Sequence, residues 1–238
     1  MTDPEVRGAL NFRDVGGLRA GAARVRDGVL FRSGNLARLE PEGTRAIAAL
    51  GIRNIIDLRD DDEVAHAPSR LAGVDVEVRR VPLFLGSVES FFSNDVSLDE
   101  LYRSLVDDSA PAIVDVVRGI AGNAPVLVHC TVGKDRTGVT VALALAAAGV
   151  DEEAVVADYA RTETLLPAAR NRAVVKALRK LHPDAVHLEE LATRSPAAVM
   201  QGMLAHVAAD HGSAAGYLRD NGLESEALVE LRRRLVVD

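Results

Sequence analysis

One stretch constrains this chain more than any other: Val126–Gly138, which reads V-L-V-H-C-T-V-G-K-D-R-T-G. Pro125–Val128 is a short apolar run suited to a buried strand, and Thr137–Ala148 is apolar on nearly every side, which predicts a buried helix. The polar loop between them therefore opens at a helix N-terminus.

The first amide N–H groups of a helix have no intrahelical partner, and the helix dipole adds positive potential, so an anion settles there. Backbone N–H groups from Thr131, Val132, Gly133, Lys134, Asp135 and Arg136 can curl around three phosphate oxygens, while the planar fork of Arg136 grips two. Cys130 then sits below the phosphorus, and the same field favours its thiolate, a nucleophile. Thr137 is placed to donate its hydroxyl to the sulfur. His129 is read as orienting the loop through backbone hydrogen bonds. A bare C-x5-R is a weak signal, but the flanking His, the internal Gly-Lys, the trailing Thr-Gly and the strand-to-helix context all agree.

With these residues the chain resembles the cysteine-dependent tyrosine-phosphatase superfamily, and within it the bacterial tyrosine and lipid phosphatases of triple-specificity type. The resemblance also runs through Asn11-Phe12-Arg13-Asp14, Leu30-Phe31-Arg32-Ser33 with Leu36, Asp57-Leu58-Arg59, and Val156-Ala157-Asp158-Tyr159. It implies Cys130 as nucleophile, Arg136 as phosphate clamp, and Lys134 and Asp135 as loop residues linked to broad substrate choice. It also implies a tyrosine-phosphatase-like fold: a central, mostly parallel sheet flanked by helices, here with a C-terminal helical extension. Activity on phosphotyrosine is expected, with phosphoserine, phosphothreonine or phosphoinositides in addition. A phosphoinositide-preferring enzyme and a low-activity phosphate-binding module stay open as alternatives, as does a sulfurtransferase or arsenate reductase reusing the loop.

Such chemistry needs an acid that protonates the leaving oxygen and later activates water. The chain has no Trp beside which to look for it. Asp135, inside the loop, is the first candidate. Asp57 follows, at the end of the Ile55-Ile56 strand where open α/β sheets gather their chemistry; as the alternative to catalysis it partners Arg59. Asp60, Asp61 and Asp62 complete the set.

The 238 residues, 48% of them hydrophobic, suffice for one domain spanning 1–238. The net charge of −7 argues against nucleic acid and against broad attraction to anionic membranes. Positive charge must be local: the resemblance places Arg13, Arg32, Arg59, Lys134 and Arg136 at one rim, with a surface salt bridge as the alternative for each of Arg13, Arg32 and Arg59. No run of about eighteen apolar residues exists, so no membrane insertion is read. A single Cys fits a reducing, cytoplasmic setting, although leaderless export leaves no trace in a sequence. The His spacing predicts no metal, and no cofactor is expected. Partners are then phosphorylated proteins or phosphoinositides; oligomeric state is not readable.

Strands are predicted at Val29–Arg32, Arg53–Leu58 and Val74–Val81, the last half-buried by its alternation. Helices are predicted at Pro41–Leu50, Leu98–Val106, Pro111–Ala121, Asp151–Arg161, Pro167–Leu181, Pro196–Asp210 and Glu226–Val236, with Ser195-Pro196 and Ser225 as caps for the last two. Leu83–Ser97 holds Phe84, Phe91 and Phe92 and is read as a lid.

Overall fold

A computed structural model describes residues 3–83 and 94–237. Its centre is a five-stranded sheet in the order β1-β4-β7-β5-β6, made of β1 (Arg13–Asp14), β4 (Leu30–Ser33), β7 (Val126–His129), β5 (Asn54–Asp57) and β6 (Glu77–Arg80). β1 runs antiparallel to β4 and every other pair is parallel. Phe31, Leu127 and Ile55 stand side by side across three strands. They face a smaller cluster with Ile47 of α1 (Pro41–Ala49), whereas Leu30, Val126, Val128 and Ile56 face the larger core. Strands buried on both faces explain the unbroken apolar runs V-L-V and I-I.

The larger core is filled by α3 (Leu98–Asp108), α4 (Ala110–Gly122), α5 (Asp135–Ala147) and α6 (Glu152–Ala160). A C-terminal extension, α10 (Ala197–His211), α11 (Ala214–Asp220) and α12 (Ser225–Leu235), packs on α3, α4, α5 and α6. Between core and extension lie α7 (Thr162–Leu165), α8 (Ala168–Leu181) and α9 (Leu188–Thr193). A second sheet joins β2 (Arg19–Ala20), β3 (Ala23–Val25) and β8 (Val236–Val237), tying the chain's end to its beginning.

Several expectations need correcting. β6 is exposed along its whole length, with Val78 42% exposed, because it is an edge strand hydrogen-bonded only to β5. Neither Ser195 nor Ser225 caps a helix: the N-cap positions are Pro196 and Glu224, without side-chain bonds. A short helix the periodicity did not reveal, α2 (Asp61–His66), follows β5 and starts with a capping box in which Asp60 and Glu63 bond reciprocally. The lid reading falls largely on 84–93, outside the described residues. Of its described ends, Leu83 is buried and Ser97 caps α3.

Candidate active site

The loop after β7 lies at the carboxyl edge of the central strand, between two parallel neighbours, and ends where α5 begins at Asp135. Its carbonyls are pinned outward. Asn35 donates through Nδ2 and its backbone N–H to the Thr131 oxygen, at 3.0 and 3.1 Å. Nδ2 of Asn11 donates to the Gly133 oxygen at 2.8 Å and to the Val132 oxygen at 3.3 Å; NH2 of Arg32 reaches the Gly133 oxygen at 3.0 Å. With these oxygens bound on the outside, the Gly133 N–H turns inward and donates to Cys130 Sγ at 3.3 Å. Gly133 is required there: its φ is 74°, and a Cβ would stand 2.4 Å from the Ser33 backbone.

Beneath the loop lies a buried ion network. Asp158 of α6 accepts from Nε of Arg13 and NH1 of Arg32, both at 2.7 Å. Burial alone would raise the Asp158 carboxyl, but Arg32 and Arg13 outweigh it and hold it below the usual carboxylate range. Arg13 also reaches Asn11 Oδ1 and Thr162, so one carboxylate fixes both side chains that hold the Gly133 carbonyl. Arg13, Arg32 and Arg59 are thus not free charge at a rim; all three are fully buried and paired.

Arg136 meets a residue the sequence reading missed. NH1 and NH2 donate to Oε2 and Oε1 of Glu63 at 2.6 and 2.7 Å, and the Thr131 hydroxyl donates to the same carboxylate. Burial raises the Glu63 carboxyl, yet the hydrogen bonds and charge of Arg136 bring it down to about 2. The D-x-x-E capping pattern at Asp60–Glu63 was the available signal.

Asp57 is held from two sides by Arg59, Oδ1 to Nε at 2.9 Å and Oδ2 to NH2 at 2.7 Å, with the Arg59 backbone N–H on Oδ1 as well. Burial acts upward on its carboxyl, but Arg59 and His129 prevail and lower it. His129 is buried, its Nδ1 3.3 Å from the Cys130 carbonyl oxygen and its Nε2 3.7 Å from Asp57. Desolvation lowers the His129 pKa, against the opposing pull of Asp57. The Thr137 hydroxyl is buried without a hydrogen-bond partner among the described residues.

A cavity of 280 Å³ opens over the loop, lined by Cys130, Asp135, Arg136 and Glu63, by Arg170, Val174 and Leu178 of α8, and by Leu101 and Leu191. Asp135 accepts from the Tyr102 hydroxyl at 3.0 Å, and Tyr102 meets Tyr159 at 2.8 Å. Burial first, and the Asp135 charge second, raise both phenols, so they remain protonated donors. Lys134 is buried. Its ammonium donates to the carbonyls of Leu191 and Arg194 at 2.8 and 2.9 Å, the C-terminal end of α9, and lies 3.2 Å from Asp135. It thus ties the loop to α9, with its charge turned to those carbonyls and to Asp135.

Among the described residues no group of three or more His, Cys, Asp or Glu side chains could hold a metal, and no helix is long and apolar enough to cross a membrane. The arrangement suits a thiolate facing an oxyanion held by amide donors and one guanidinium.

A model of the tyrosine phosphatase family matches residues 4–237. The triple specificity protein phosphatase PtpB of Mycobacterium tuberculosis is 32% identical over 276 residues, covering 98% of this chain and 98% of that protein. A tyrosine-protein phosphatase of Nostoc commune is 31% identical over 214 residues, covering 86% and 73%.

Proposed function

The chain belongs to the tyrosine phosphatase family, and from that premise we propose that it hydrolyses phosphomonoesters through a cysteinyl-phosphate intermediate. The observation that carries the proposal is the Gly133 N–H donated to Cys130 Sγ within a loop whose Thr131, Val132 and Gly133 carbonyls are held from outside. That ring of donors stabilises negative charge first on sulfur and then on the equatorial phosphoryl oxygens.

In the first step Cys130 thiolate attacks phosphorus, the ester P–O bond breaks, and Asp135 gives its proton to the leaving oxygen. In the second step water attacks the phosphocysteine, Asp135 takes a proton from that water, and the S–P bond breaks to release inorganic phosphate and thiolate. Asp135 is favoured over Asp57 because it lines the cavity with Cys130, whereas the Asp57 oxygens are occupied by Arg59. Arg136, aligned by Glu63, carries the phosphoryl charge. Backbone N–H groups of Thr131 through Arg136 form the cradle. Thr137, whose hydroxyl lacks a partner among the described residues, serves the sulfur as it becomes a leaving group. His129 is a positioning residue, and Arg13 and Arg59 are supports.

The substrate class is phosphotyrosine. By analogy with the triple-specificity relative we extend it to phosphoserine, phosphothreonine and phosphoinositides. The test is p-nitrophenyl phosphate turnover by the parent, Cys130→Ser and Arg136→Ala. Both variants are expected to lose activity while staying folded, and hydrolysis by Cys130→Ser equal to the parent would refute the covalent route. A panel in which only phosphotyrosine peptides are turned over would remove the wider range.

A further inference from the structure

Helix α8 carries Arg170, Arg172, Lys176, Arg179 and Lys180 and no acidic residue, in a chain whose net charge is −7. It lies on the surface and none of its residues is buried. Its inner side, with Arg170, Val174 and Leu178, lines the cavity over Cys130. On its outer side Arg172, Lys176 and Lys180 are exposed and follow one another at four-residue intervals. Among the described residues none of these three pairs with a carboxylate; of that row's neighbours only Arg179 does so, with Glu189 at 3.4 Å. A groove of 530 Å³ between α8 and α9 is walled by Arg172, Lys176, Arg179 and Lys180 on one side and by Glu189 and Thr193 on the other. At the last residue of α8 and in the turn that follows it, Leu181 is 72% and Val186 79% exposed, two of the largest apolar exposures described.

Like charges four residues apart on a helix repel, so an unpartnered row of three works against the helix unless an outside polyanion compensates it. The two exposed aliphatic side chains decide which polyanion fits. They offer nothing to a phosphodiester backbone or an acidic polypeptide, whereas the interface of a bilayer takes up apolar tips and cationic heads together.

We propose that the outer face of α8, with Leu181 and Val186, docks this protein on an anionic lipid bilayer. The docking is peripheral, without insertion of a helix. Charge also sets the orientation: the remainder of the molecule is more acidic than the net value, so the α8 side is the one drawn to the surface. Net charge alone had argued against membranes because it averages over faces that differ in sign. Since the opposite side of the same helix lines the catalytic cavity, docking holds that cavity about one helix diameter, about 10 Å, from the headgroup layer, with α8 between them. The proposal goes beyond the phosphatase reading and stands whichever monoester is cleaved.

The test is co-sedimentation of the full chain with phosphatidylcholine vesicles, with and without phosphatidylserine, at low and at physiological salt. The parent is expected to bind only the vesicles containing phosphatidylserine, and less as salt rises. The triple variant Arg172→Glu, Lys176→Glu, Lys180→Glu is expected to lose that binding by at least about tenfold. Its p-nitrophenyl phosphate turnover should remain at the parent level, which shows the fold and active site intact. Leu181→Ser with Val186→Ser should weaken binding without changing its salt dependence. Absence of vesicle binding by the parent, or equal binding by the triple variant, overturns the proposal. Binding to heparin or polyglutamate in place of vesicles overturns it too and assigns the face to another polyanion. A phosphatase-dead parent that still binds vesicles separates this inference from the catalytic one.

Discussion

Arg136 and Glu63 meet as two planar groups joined by two hydrogen bonds of 2.6 and 2.7 Å, the guanidinium from the first turn of α5 and the carboxylate from the first turn of α2. The carboxylate is itself held by the Thr131 hydroxyl and by the Asp60 backbone N–H at 3.1 Å. The proposed phosphate clamp is therefore aligned before any substrate arrives, and a helix cap does the aligning. Glu63→Gln keeps the shape but replaces one acceptor oxygen by an N–H group that faces the guanidinium. Steady-state kinetics on p-nitrophenyl phosphate should show kcat/KM reduced by about 10- to 100-fold. Unchanged kcat/KM would mean that Arg136 needs no such alignment.

The same pair makes stability pH-dependent. Glu63 titrates at about 2 in the folded protein, below the ordinary glutamate value, and Asp158 and Asp57 are also depressed. Groups with depressed folded pKa values stabilise the protein fully above their unfolded values of about 4. That stabilisation is lost as pH falls toward about 2. Denaturant titrations should show a fall over this window, smaller in Glu63→Gln than in the parent. A Glu63→Gln curve parallel to that of the parent would contradict the assignment.

Asp158 neutralises two buried guanidiniums at once. Asp158→Asn leaves Arg13 and Arg32 buried without a counter-charge, an arrangement that costs about 3–5 kcal/mol. Chemical denaturation should show a loss of that size, together with weaker phosphate binding as Asn11 and Arg32 release the Gly133 carbonyl. A loss under about 1 kcal/mol would show that the network is not the support described.

The two acid candidates separate by pH profile. Asp135→Asn should lower kcat by about 10²- to 10⁴-fold and abolish the alkaline limb of the profile. Asp57→Asn should reduce stability, because Arg59 loses its buried partner, while the alkaline limb persists. The reverse pattern would transfer the acid role to Asp57.

Lys134 supplies the last of these tests. Lys134→Met removes the ammonium from the α9 carbonyls, so hydrogen exchange over residues 188–194 should accelerate. The ratio of phosphoinositide to phosphotyrosine turnover should change by less than about threefold, because the charge is spent inside the protein. A collapse of phosphoinositide turnover alone would restore the sequence reading of Lys134 as a substrate contact.

Much of the fold was legible because its signals are local. The runs V-L-V and I-I, buried on both faces, and the apolar helix after Arg136 announced three adjacent elements and the loop between them. Pro41 and Gly51 punctuated α1, and Gly212, with φ 73°, closed α10. What escaped depends on partners far apart in the chain. Nothing near Arg13 or Arg32 reveals that Asp158, more than a hundred residues on, accepts both guanidiniums, and so they read as exposed charge. Lys134 misled for the same reason, since its acceptors are carbonyls of α9. Glu63 could have been found, because the D-x-x-E spacing marks a helix start; its bond to Arg136 could not.

The central claim is that Cys130 accepts the phosphoryl group covalently, and rapid acid quench of the enzyme during turnover of p-nitrophenyl phosphate, followed by peptide mass spectrometry, tests it most directly. The account predicts a phosphoryl adduct on the peptide containing Cys130, enriched in Asp135→Asn if water activation is slowed, and absent from Cys130→Ser. Steady turnover with no adduct on that peptide, or turnover undiminished in Cys130→Ser, would contradict it.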